Sequence, residues 1–169
     1  MRVERPRRAV PRFSRPGWVL GLVIGLHLWS PTAAGTTPWS NTTWGAVADR
    51  HGLDPSVLYA VALLESARAA SRATVHPWPW VIRGPDGPQF FDSSEHAQRE
   101  LSRLVEITDR RALDVGLMQV NLHWHGHRVA EPAQLLDPQI NLQIAASILA
   151  ECVRSAPRDL ELAIGRYHS

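Results

Sequence analysis

The sequence contains no lysine: all 18 of its basic residues are arginines. That excludes a Schiff-base enzyme, a lysine nucleophile and a P-loop, each of which needs an ammonium group at its centre. Cysteine is nearly as scarce. Cys152 alone can form no intramolecular disulfide and no multi-cysteine zinc site. Long apolar runs are missing too. The most apolar stretch, residues 18–29, has twelve residues with His27 inside it, and a membrane-spanning helix needs roughly 20. What remains is a 169-residue chain with 44% hydrophobic and 20% charged residues, the size of one domain and too apolar for wholesale disorder.

The formal charge of +2 is unevenly placed. Arg2, Arg5, Arg7, Arg8, Arg12 and Arg15 precede the apolar stretch, and Thr32-Ala33-Ala34 follows it. A basic segment, a short apolar segment and small residues make a secretory signal. Residues 1–34 are therefore read as an export signal, with the mature chain starting near Gly35; an uncleaved membrane anchor is the alternative. Periplasmic localisation follows, with membrane attachment only if the signal is retained. Beyond residue 34 stand 12 arginines and 15 acids, about −3, which leaves nucleic acid without support as a partner.

Residues 35–43 are small and polar, a flexible start. Residues 44–169 then read as one mainly α domain. Trp44, Val47 and Ala48 share a helical face that Gly52 can end. Asp54-Pro55 supplies a cap and a first-turn proline before Val57, Leu58, Val61, Leu64 and Glu65. Residues 75–91 hold two β-prone runs around Gly84-Pro-Asp-Gly87, a small inserted hairpin. Asp92 and Glu95 resemble a capping box ahead of Ala97, Leu101, Leu104 and Val105. Asp137-Pro138 opens a helix carrying Ile140, Ile144, Ile148 and Cys152, and Leu160, Ala163, Ile164 and Tyr167 mark a last one.

Three pieces in order carry the chemistry: Glu65-Ser66, Gly116-Leu-Met-Gln-Val-Asn121 and Ala163-Ile-Gly-Arg-Tyr-His168. The set resembles the lytic transglycosylases of the soluble-lytic (SLT, goose-lysozyme-like) superfamily, from about Trp44 to the end of the sequence. The resemblance implies a lysozyme-like fold and cleavage of the MurNAc–GlcNAc bond of peptidoglycan with closure of a 1,6-anhydro ring. It implies no cofactor and no metal. Elementary chemistry agrees. Protonating a glycosidic oxygen near neutral pH calls for a carboxylic acid kept protonated by an apolar site. Glu65, bordering an apolar helical face, is that candidate. Substrate-assisted glycosidases manage without a second carboxylate.

The other roles follow from the resemblance. Ser66 would orient Glu65, Met118 would line the groove floor, and Gln119 and Asn121 would bond sugar hydroxyls and acetamides. Tyr167 would aim its hydroxyl at Glu65 or an acetamide. For each, local packing or backbone satisfaction is the competing account. His168 departs from the family, which has asparagine there. Residues 76–91, with His76-Pro-Trp-Pro-Trp80, look like the insertion of members tied to type IV secretion and integrating conjugative elements. That similarity adds secretion subunits as partners and a role in local wall clearance. Trp78 and Trp80 are then sugar-stacking candidates or simply pack beneath the hairpin. The insertion reads as self-contained and dispensable for folding. His123, His125 and His127 alternate as on an extended strand, yet they follow the Asn121 motif directly, and no metal is expected. Asp114 reads as a helix or turn cap, or as the second carboxylate of a hydrolytic muramidase. A catalytically weak glycan-binding scaffold is the non-enzymatic alternative.

Overall fold

The computed structural model describes residues 38–69 and 74–168. The export signal expected over residues 1–34 lies outside them. Part of the segment read as flexible is in fact folded. Trp39 donates from Nε1 to Ser56 Oγ at 3.1 Å, and its ring packs on Tyr59. Thr42 caps helix α1 (Thr43–His51) by accepting from Gly45 N. Gly52 ends that helix at φ +66°, returning its N–H to the Ala48 carbonyl. Helix α2 (Pro55–Ser66) follows, capped by Asp54, and buries Leu58, Val61, Ala62 and Ser66.

Strands β1 (Ala67–Ala69) and β2 (Val75–Pro77) pair antiparallel as a separate ribbon. The expected hairpin forms from β3 (Val81–Gly84) and β4 (Gly87–Phe90). It does not stand alone. Two short strands, β5 (Asp114–Val115) and β6 (Val120–Asn121), extend it to a sheet of order β4-β3-β5-β6. Val81 and Ile82 are both fully buried. Consecutive buried residues mean that the strand is covered on both faces. The Val81 carbonyl also accepts from Gly116 N at 2.8 Å. The insertion is thus part of the core, and the reading of it as self-contained is corrected: removing it would unpair β5 and open the interior.

Helix α3 (Ser94–Ile107) is capped one residue later than expected. Asp92 is drawn into an ion pair with Arg68 at 2.8 Å, which leaves Ser93 Oγ to accept from His96 N. The histidine segment is also corrected. Asn121 accepts from the N–H groups of His123 and Trp124, which starts helix α4 (Leu122–His125), and a 3₁₀ turn over Gly126–Arg128 follows. A helical turn does not alternate side chains as a strand does, so the three imidazoles share no strand face.

Asp137 accepts from Gln139 N and Ile140 N to cap α5 (Pro138–Ser155), and α6 (Leu160–His168) packs against it. The core runs between α2, α3, α5 and the sheet, with Leu58, Ile82, Leu101, Met118 and Leu149 wholly enclosed. Cys152 lies against it, half-buried. The fold is mainly α with a small antiparallel sheet. Among the described residues no helix is long and apolar enough to cross a membrane.

Candidate active site

The site begins with a turn between β5 and β6. Gly116 takes φ +82°, and a Cβ there would run into the Leu135 carbonyl and the Asn141 amide, so only glycine fits. Asn141, fully buried, holds the turn with its whole side chain. Its Oδ1 accepts from Met118 N, and its Nδ2 donates to the Val115 and Leu135 carbonyls, each at 2.8 Å. Gln119 completes the turn at φ +48°, a left-handed conformation that costs a non-glycine residue roughly 1 kcal/mol or more. The surrounding hydrogen bonds enforce it.

Against this turn lies the end of α2. Ser66 Oγ donates to the Leu117 carbonyl at 2.6 Å and accepts from Trp78 N. The helix end and the motif turn are thereby fastened together, and Glu65 is fixed beside them. Its side chain is only 9% exposed, and it faces a cleft of about 650 Å³, ample for a sugar unit. Burial pushes the Glu65 carboxyl above its ordinary range, and Asp114 adds to that. His168 opposes it: Nδ1 lies 3.0 Å from Glu65 Oε1. Arg83 opposes it more weakly. The outcome is a carboxyl inclined to keep its proton, as a general acid requires.

Several expected roles change once the side chains are located. Ser66 does not touch Glu65; its bonds go to backbone, and at 1% exposure it cannot meet a ligand. Met118 is wholly inside the core and does not line the cleft, because Asn141 pulls its backbone inward. Tyr167 does line it, but its hydroxyl donates to the Met118 carbonyl at 2.7 Å. Enclosure and the nearby Glu65 charge push that phenol well above its ordinary range. Gln119 lines the cleft, with both amide hydrogens directed at the Val81 and Gly116 carbonyls. Asn121 lines it as well, its Nδ2 donating to Asp114 Oδ1 and the Arg111 carbonyl while its Oδ1 caps α4. Trp78 and Trp80 lie outside the cleft. Trp78 donates to the Phe91 carbonyl at 2.7 Å beneath the Arg68 guanidinium, and Trp80 packs on the core.

Other residues complete the site. Asp114 is a strand residue, not a cap. Register pairs Arg83 with Asp114 and Asp114 with Asn121, so the three stand in a row on one face of the sheet, and all line the cleft. Burial raises the Asp114 carboxyl above its usual range, opposed by the Asn121 amide and the Arg83 charge. Trp124, 60% exposed, presents its indole at the same opening, edge-on to His123. Arg111, His125, Arg166 and His168 also line it, with Val120 and Ile148 as its apolar part. Sequence reading passed over Arg83 and Trp124; the one available clue was an unpaired arginine in an apolar strand run. Among the described residues no three His, Cys, Asp or Glu side chains group as a metal ion would need.

A family model described as "Transglycosylase SLT domain" matches residues 42–169, a span that holds every element of the cleft. No curated protein and no solved structure matches the chain.

Proposed function

Because the chain belongs to the transglycosylase SLT domain family, whose members are lytic transglycosylases acting on peptidoglycan, we propose that it cleaves the MurNAc–GlcNAc bond with Glu65 as its one acid and base. The observation that carries this reading is the enclosed Glu65 carboxyl at the wall of an open cleft. In the first step Glu65 gives its proton to the glycosidic oxygen, and the C1–O bond breaks with GlcNAc leaving as the alcohol. The substrate's own acetamide stabilises C1. The C6 hydroxyl then bonds to C1, and its proton returns to the Glu65 carboxylate, closing the 1,6-anhydro ring. No water is consumed.

Asp114 favours a second reading. A carboxylate on the same cleft is what a water-activating hydrolase needs. Mass spectrometry of fragments released from purified sacculi separates the two. Anhydro ends are expected; ordinary reducing ends would establish hydrolysis. Asp114→Asn is expected to retain most activity and the anhydro product. On the same proposal the protein is exported to the periplasm through residues 1–34. It clears wall locally for a conjugative secretion apparatus, a role supported by the similarity of residues 76–91 to the insertion of members so tied.

A further inference from the structure

We propose that Arg83 is a binding subsite for a carboxylate carried on the muramyl side of the glycan strand. The inference rests on the peptidoglycan reading above and specifies which part of the polymer the cleft recognises. Arg83 sits on β3 at the end of the row that continues through Asp114 and Asn121. It is exposed, it lines the cleft, and among the described residues its side chain makes no hydrogen bond and no ion pair. Its charge nonetheless reaches both Glu65 and Asp114. Of the arginines on the lining, Arg111 is paired with Asp109 and Arg166 bonds the Ser155 carbonyl, which leaves Arg83 facing Glu65 and Asp114 alone. Burial drives both acids toward their neutral forms. The Arg83 guanidinium therefore stands on the cleft with no anion in contact with it, a place that an anionic ligand would fill.

The chemistry of the strand says which anion. N-acetylglucosamine carries no ionisable group. Muramic acid differs from it by a lactyl ether ending in a carboxyl. That carboxyl is either amide-linked to a peptide stem, whose residues bear carboxylates of their own, or free where the stem has been removed. A planar guanidinium can take either with paired, charge-assisted hydrogen bonds. Arg111 lines the same cleft and is held only by an exposed 3.4 Å pairing with Asp109. Such a contact contributes little and exchanges easily for a ligand.

The test compares wild type with Arg83→Gln on three glycans: stem-bearing sacculi, amidase-denuded strands with free lactyl carboxylates, and chitooligosaccharides with none. Arg83→Gln is expected to raise KM roughly ten-fold or more on muramyl glycan, the loss that goes with one hydrogen bond to a charged group. Its kcat should change little, and its binding to chitooligosaccharides should equal that of wild type. A KM change confined to stem-bearing sacculi identifies the stem as the source, and one confined to denuded strands identifies the lactyl group. An unchanged KM on both, or an equal loss on chitooligosaccharides, overturns the proposal. An arginine acting only on the charge of Glu65 would move kcat and its pH profile instead of KM. If wild type releases no fragments at all, the catalytic reading has failed. Co-sedimentation with sacculi and denuded strands, wild type against Arg83→Gln, then decides the subsite by itself.

Discussion

The wall of the cleft formed by residues 114–121 and the wall formed by α6 hold the same carboxyl by opposite means. On the first, the Asn141 side chain, Ser66 Oγ and the Gln119 amide are all bonded to buried backbone. Gly116 admits no side chain. On the second, Ala163 is the one buried residue of the helix, Leu160 and Leu162 are about half exposed, and the Tyr167 hydroxyl on the Met118 carbonyl pins the helix to the first wall. Unmet hydrogen bonds in a low dielectric are costly, so the first wall is stiff. The second is packed on α5, and it meets Glu65 through a side chain at its exposed end, His168. Position comes from the turn, while the proton balance of Glu65 is adjusted from the helix.

Glu65→Gln tests the premise shared by both walls. It keeps shape and removes the transferable proton, so fragment release from sacculi should fall by roughly 10²–10⁴, with sacculus binding retained. A variant with near-normal activity would remove Glu65 from the mechanism.

Asn141→Ala should break the stiff wall. Three backbone groups, at Met118, Val115 and Leu135, would lose their partner inside the core. A loss of roughly 3 kcal/mol or more, read from chemical denaturation, is expected. Tyr167→Phe on the α6 wall should cost less, roughly 1 kcal/mol, because it leaves one carbonyl unmet and keeps the ring. Equal costs at the two positions would erase the distinction.

His168→Ala should leave stability nearly unchanged, since the imidazole is 75% exposed, and act on pH dependence. His168 holds the Glu65 carboxyl down by hydrogen bond and charge. Removing it lets burial raise that carboxyl further. The protonated, active acid is lost as pH rises through its pKa, so the alkaline limb of the activity profile should move to higher pH. A limb that moves down or stays fixed would show that His168 does not govern the proton.

The parts of this molecule legible in the sequence are those that obey short-range rules. Caps at Asp54 and Asp137, the Gly52 stop and the hairpin turn are decided within a few residues. Glu65 stood out because one helix face displays it. Bonds between distant residues left no such trace. Ser66 meets Leu117 across 51 positions, and His168 meets Glu65 across 103. Asp114 lies on a two-residue strand, too short for any periodicity to register, and so it read as a cap. The insertion looked separable because Val81-Ile82 lies between turn residues on one side and Pro-Trp on the other; that the run is built into the core depends on β5, which pairs Ile82 with Val115 and Arg83 with Asp114 far along the chain.

Trp124 has a practical consequence of an optical kind. Of the five tryptophans among the described residues, only this one is exposed, and it stands at the mouth of the cleft; Trp39, Trp44, Trp78 and Trp80 are half-buried. Water-quenched indole emission shifts when its surroundings become apolar, so a glycan resting on this ring would announce itself in the intrinsic fluorescence of the protein. The protein thus carries its own reporter of occupancy, one that needs neither a labelled substrate nor turnover.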